Sequence, residues 1–204
     1  MHAAMVTSEH DAIRPRRSDP TRARILGAAR QQFARSGYHG TTIRAVAAEA
    51  GIDASMVMRY YGSKDGLFAA ATDIALDIPD LTQIPRRQWG GRLVRHFFER
   101  WESGPDEPVP GLLVRSAATN PVAAERLRAV VDEQIARALE HAGVDQARRR
   151  ASLIATQMLG VAYCRYVLEL PAIASAEPDE LVADLAGTLQ RYITGSLSEA
   201  AARG

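Results

Sequence analysis

The chain has 204 residues, 47% of them apolar and only 6% aromatic, with a formal net charge of +1 at neutral pH. That length suits one large domain or a small one fused to a larger, and its Ala, Leu and Arg content favours packed helices over a β-sandwich. No apolar run approaches the roughly 18–20 residues of a membrane span.

The N-terminal "MHAAMVTSEHDAIRPRRSDP" lacks the apolar core of a secretory signal. A single cysteine, Cys164, excludes an internal disulfide and fits a reducing cytoplasm. Charge is unevenly spread. Residues 1–66 carry ten Lys and Arg against six Asp and Glu, a balance of +4, and the remainder carries −3. A basic first third on a mildly acidic body points to a polyanion at one end. All the cations are arginines except Lys64.

Residues 1–18 are polar, aperiodic and basic at their end, and read as a flexible arm. Asp19-Pro20 gives a cap-plus-proline helix start. Ile25, Leu26, Ala29 and Phe33 then keep helical spacing, so a helix is predicted over Thr21–Ser36, with Gly37 as its stop. Thr42 (or Thr41) caps a second helix whose inward positions are Ile43, Val46, Ala47 and Ala50, and Gly51 closes it. A third short helix covers Ala54–Tyr60 with Val57 facing in. Gly62 breaks it, and Ser63 caps a fourth that carries Leu67, Phe68 and Ala71. Gly66 stands where a capping box would need Glu or Gln.

Pro79 and Pro85 bracket a linker. Longer helical patterns follow at Pro85–Glu102, Gly111–Thr119, Pro121–His141, Gln146–Leu170 and Pro178–Leu197. The fold expected is all-α, about nine helices in total: a compact three-helix helix-turn-helix unit in front of a helical bundle. Two short helices joined through a glycine turn place the second in a DNA major groove. An ordinary helical hairpin shares that pattern. The basic arm and the residues after the turn favour the DNA-binding form.

"TRARILGAARQQFARSGYHGTTIRAVAAEAGIDASMVMRYYGSKDGLF", Thr21 to Phe68, resembles the N-terminal DNA-binding domain of tetracycline-repressor-like (TetR-family) transcriptional regulators. The likeness rests on Phe33, the Gly37–Thr42 segment, Ala47–Gly51 and the Tyr61–Phe68 ending. It implies that Ala54–Tyr60 is the recognition helix and that Lys64 meets a phosphate. A lysine in a first turn opposes the helix dipole, so helix stability does not account for it. Thr42 at a helix N-terminus suits a phosphate, and Arg59 and Tyr60 suit backbone or base edges. Ser55 and Met56 complete the groove-facing candidates. Arg44 is a phosphate contact or plain surface charge, and Arg14, Arg16 and Arg17 form a tail or enter a minor groove. Family members usually carry tyrosine where Met58 stands, which implies fewer phosphate contacts here.

The resemblance divides the chain into an arm over 1–18, a DNA-binding domain over 19–66 and a ligand-binding and dimerisation domain over 67–204. The last two helices bear apolar stripes, including Ile154, Met158, Ala162, Leu185 and Leu189, that are internal core or, as in the family, a four-helix dimer interface. Middle helices offer Phe97, Trp101, Met158, Tyr163 and Tyr166 as cavity walls, with His96, Arg115 and Gln157 as polar contacts. The expected partners are an operator duplex, a second copy of the chain and a small-molecule effector. Its binding favours the spacing of the recognition helices that fits DNA poorly. No metal spacing, phosphate loop or nucleophile motif is visible, so neither a cofactor nor an enzymatic activity is expected. A ligand-independent DNA-organising protein is the alternative reading.

Overall fold

The structure is a computed structural model and describes residues 18–102 and 108–198. The expected arm lies outside the described residues except for Ser18, which opens the first helix. Among the described residues there is no strand, and the architecture is all-α.

The first helical element, α1 (Ser18–Gly40), is interrupted at Gly37, whose φ of 66° and ψ of 179° are not helical, so the long helix stops where the sequence predicts and a short turn carries the chain on to Gly40. α2 (Ile43–Ala50), α3 (Ala54–Tyr61) and α4 (Lys64–Ala71) follow, each opened by a side-chain cap. Thr42 accepts from the Ala45 amide, Asp53 from Ser55 and Ser63 from Gly66. These bonds satisfy amides that a helix start leaves open, and they set where each short helix begins. Thr41 is buried instead, donating to the carbonyls of Gln32 and Gly37. A side chain at Gly66 would overlap the Tyr61 carbonyl, so this start rests on the serine alone.

Two 3-10 turns, Leu81–Gln83 and Arg86–Gln88, lead into α5 (Trp89–Glu102). α6 (Pro108–Ala117) precedes a continuous helical run over residues 121–141. That run is built of α7 (Pro121–Ala129), a π-helical stretch (Val130–Ala136) and α8 (Arg137–His141). Asn120 caps it by accepting from Val122 and Ala123. α9 (Ala147–Tyr166) ends short of the predicted Leu170. The chain must leave the helical region ahead of Pro171, and Glu169 takes φ 50° there. A four-residue helix, α10 (Pro171–Ala174), and α11 (Pro178–Thr194) complete the order.

Two cores result. Ile25 and Phe33 of α1, Val46 of α2, Val57 of α3 and Leu67 and Phe68 of α4 are buried together, and the same core continues into Leu112 and Leu113 of α6. The head (α1–α4) is thus seated on the body (α5–α11) through α1, which packs on α6, and through α4, which packs on α7. Phe98 of α5, Ile154 of α9 and Leu189 and Ile193 of α11 build the second. Arg150, 3% exposed, ties its ends by donating to the carbonyls of Asp145, Tyr192 and Gly195 at 2.7–2.9 Å. A buried guanidinium needs this many partners to offset its lost hydration.

The stripe assignment is corrected by this second core. Ile154, Met158, Ala162 and Leu189 are at most 8% exposed within the single chain, so they pack inward and offer no face to a second copy. Leu185 is half-buried among them.

Candidate functional site

The α2–α3 hairpin is fixed from behind. Gly51 adopts the left-handed conformation (φ 63°) that a β-carbon disfavours, and its amide donates to Ala48. Arg24 of α1 donates to the carbonyls of Ala50 at 2.6 Å and Gly51 at 3.3 Å, which clamps the turn to the long helix. Val57 is fully buried, so the opposite side of α3 faces solvent. Ser55, Met58 and Arg59 are exposed there, and Met56 and Tyr60 lie half-buried at its flanks. Tyr60 lies between two cations, with the guanidinium carbons of Arg22 and Arg59 5.9 and 5.5 Å from its ring centre. Thr42 and Arg44 are exposed at the start of α2.

Asp53 is held below the usual carboxylate range by its hydrogen bonds from Ser55, so it stays charged as the cap of α3. Lys64 is half-buried. Its Nζ sits 4.4 Å above the Tyr38 ring and 3.4 Å from the His39 carbonyl. The lysine therefore has a partner within the chain, which its position in the sequence does not reveal. Tyr38 donates to Asp65, and that bond first, then burial, pushes its phenol up to about 12.

A second feature lies in the body, between α5, the α7–α8 run and α9. Two adjoining apolar cavities of about 80 and 90 Å³ share Leu76, Phe97, Trp101, Ile135 and Met158 as walls. His96 and Arg100 line the second. Of the candidate ligand contacts, Phe97, Trp101, Met158 and His96 come together here. Arg115 lines a separate open pocket of about 330 Å³ with Glu102, Arg165 and Tyr166. Gln157 lines neither cavity, and Tyr163, 46% exposed, points away, so both are corrected to the outer side of α9. Tyr166 stacks on Trp101 at 5.0 Å and donates to Glu102; burial, then that bond, raises its pKa.

The chain that leaves α4, a linker over residues 72–80 that starts ahead of the expected Pro79–Pro85 segment, forms one wall of this cavity through Ile74, Leu76 and Ile78. It is held from three directions. Gln134, inside the π-helical stretch, donates to the Ile74 carbonyl at 2.9 Å and accepts from the Leu76 amide at 2.6 Å. On α5, His96 Nε2 donates to the Leu76 carbonyl at 2.6 Å, and Arg100 donates to Ala75 at 2.7 Å. Arg126 of α7 pairs with Asp73. A π turn displaces side chains from the regular helical register, and here it turns Gln134 toward the linker while Val130, Val131 and Ile135 line the void.

Residues 25–71 match the family model described as bacterial regulatory proteins, tetR family, and residues 88–193 match that of the tetracyclin repressor-like C-terminal domain. The chain belongs to the TetR family. A TetR-family regulator from Streptomyces coelicolor is 33% identical and superposes with a TM-score of 0.62, covering 89% of this chain and 98% of its own. Among curated relatives, an HTH-type transcriptional repressor of Streptomyces coelicolor is 39% identical over 66 residues, which are 30% of this chain and 34% of the relative. The regulatory protein RaaS of Mycobacterium tuberculosis is 44% identical over 55 residues, 27% of this chain and 26% of its own. The chain thus aligns with about a third or less of these curated relatives' length. A transcriptional regulator from Saccharomonospora viridis solved with choline shares the fold at 23% identity, a TM-score of 0.60 and coverage of 85% and 97%.

Against the TetR-family pattern, sequence reasoning singled out Met58 as a departure without placing it on the groove-facing side, and it missed Gln134. Met58 is the most exposed large apolar side chain of α3, at 43%. The inward Val57 already signals that its neighbour points out. Gln134 carries no such signal, because its role depends on a π turn that apolar spacing does not encode. No helix among the described residues is long and apolar enough to cross a membrane, and no cluster of three His, Cys, Asp or Glu among them is placed to hold a metal.

Proposed function

We propose that this chain is a ligand-responsive transcriptional repressor that binds a palindromic operator as a homodimer and releases it when a small molecule enters the body. The observation that carries this reading is the linker after α4, which is at once the attachment of the head and a wall of the cavity. A molecule in the cavity presses on Ile74, Leu76 and Ile78, and the head follows α4. The effector shifts the equilibrium only by its differential affinity for the two head spacings.

On DNA, Arg59, Ser55 and Met58 face base edges, Met56 and Tyr60 flank them, and Thr42, Arg44 and Lys64 hold phosphates. Two such heads must be set about 34–36 Å apart to reach successive major grooves. The second copy docks on the outer side of α9, where Ser152, Thr156, Gly160 and Tyr163 are exposed at helical spacing, and on Ala183 and Gly187 of α11. The small residues permit close helix approach. In this reading residues 19–66 recognise DNA, residues 67–204 sense and dimerise, and the chain works in the cytoplasm without catalysis.

The test compares binding to DNA upstream of the chain's own coding sequence with binding to random DNA at physiological salt. A specific regulator discriminates by roughly a thousandfold or more. A ratio near one sinks the reading in favour of a DNA-organising protein.

A further inference from the structure

We infer that the body cavity takes an uncharged, apolar molecule of the size of a single aromatic ring or a short hydrocarbon, and not an ion. The inference rests on the reading of the body as an effector domain. It follows from how the polar atoms around the cavity are already engaged.

Only two charged or titratable side chains line the two lobes, His96 and Arg100. His96 Nε2 is bound to the Leu76 carbonyl, and its Nδ1 lies 3.7 Å from Glu99. Arg100 donates to Ala75 and pairs with Asp77 at 3.5 Å. Both face the linker, and turning either toward a ligand would strip the linker carbonyls of their donors. Among the described residues the one buried side-chain nitrogen or oxygen without a partner is Arg126 Nε, and Arg126 lines neither lobe. An ion entering here would lose its hydration and gain no counter-charge, which excludes it strongly.

Size and shape sharpen the class. The lobes of about 80 and 90 Å³ amount to about 170 Å³ together. An apolar cavity of about 150 Å³ lined by aliphatic and aromatic groups stays dry and accepts benzene. Phe97 and Met158 border both lobes, and the unbranched thioether of Met158 can shift to join them. Trp101 borders both lobes and also the open pocket that holds Arg115, Glu102 and Arg165. Its indole, stacked on Tyr166, separates the apolar interior from those charges.

Isothermal titration of the full chain with toluene, benzoate and benzylamine tests this. Toluene is expected to bind roughly tenfold or more tighter than either charged analogue. Ala155→Leu, which fills one lobe, is expected to weaken toluene about tenfold, with the fold checked by circular dichroism. Because added bulk can itself unfold a core, Met158→Ala is the second arm. It removes the partition and is expected to shift preference toward naphthalene. Benzoate binding as tightly as toluene, with loss of that binding in Arg115→Ala, overturns the inference by placing the ligand in the charged pocket. No binding of toluene or naphthalene also overturns it, and leaves operator recognition intact as a separate result. Toluene that binds without changing operator affinity supports the cavity's chemistry and defeats the regulatory reading alone.

Discussion

Head and body both use an arginine to grip main-chain carbonyls, and they do so to opposite ends. In the head, Arg24 holds the Ala50 and Gly51 carbonyls from behind, which leaves the far side of α3 free to point outward. In the body, Arg100, His96 and Gln134 reach inward to the linker, and what remains between the helices is an apolar void. The head is closely filled, with Phe33 fully buried and edge-on to Phe68 at 5.0 Å. The body holds apolar voids where the linker passes. Packing density therefore marks where each region works: outside the head, inside the body.

Truncating one phenylalanine in each region should expose this difference most strongly. Phe33→Ala removes a ring from a filled core and should cost about 3–5 kcal/mol of unfolding free energy. Phe97→Ala should cost less by roughly 1 kcal/mol or more, because part of the Phe97 surface already faces empty space and has fewer dispersion contacts to lose. Urea unfolding of the two variants measures both, and equal losses would mean that the void is filled in solution.

Arg59→Ala and Gln134→Leu separate the two jobs. Arg59→Ala should weaken operator binding by about 1–3 kcal/mol and relax specificity at one base, with unchanged thermal stability. Gln134→Leu leaves the Ile74 carbonyl and the Leu76 amide without their partner and should cost about 1–3 kcal/mol of stability. Its operator affinity without ligand should be nearly normal, while the ratio of affinities with and without effector falls. Gel-shift titrations with and without the effector read this; an unchanged ratio would remove Gln134 from the coupling route.

The two regions were also unequally legible in the sequence. The head's caps, its glycines and its short apolar spacings are local features, and Thr42, Ser63 and Gly51 fix the helices as their residue types predict. In the body, spacing finds the helices but not their use. Ile154, Ala162 and Leu189 repeat as any apolar stripe does, and only the packing of α11 on α5 and α9 decides that they face inward. The run over 121–141 reads as one regular helix, and the π turn that aims Gln134 is invisible because apolar spacing does not encode it. A void has no sequence at all. It exists where Phe97, Met158 and Ile135 fail to meet.

The smallest effect concerns Lys64, where the head departs from its own outward rule. Its Nζ lies over the Tyr38 ring, so a phosphate contact and a cation–π contact compete for one charge. If the lysine meets DNA, Lys64→Gln should reduce the slope of log K against log salt by about 0.9. If it only covers Tyr38, the slope stays and stability falls by about 0.5–1 kcal/mol. Tyr38→Phe separates the ring from its hydroxyl, since it keeps the aromatic face and removes the bond to Asp65. The Tyr38 phenol is raised to about 12 from its ordinary value of 10.0, so the folded state holds this proton more tightly than the unfolded chain. Stability from that bond is complete below pH 10 and declines as pH rises toward 12. The wild-type head should therefore lose stability over that window, and Tyr38→Phe should lose less while keeping the salt slope. A mutant that loses as much as wild type would assign the alkaline loss to other groups and leave Lys64 as the hydroxyl-independent partner of the ring.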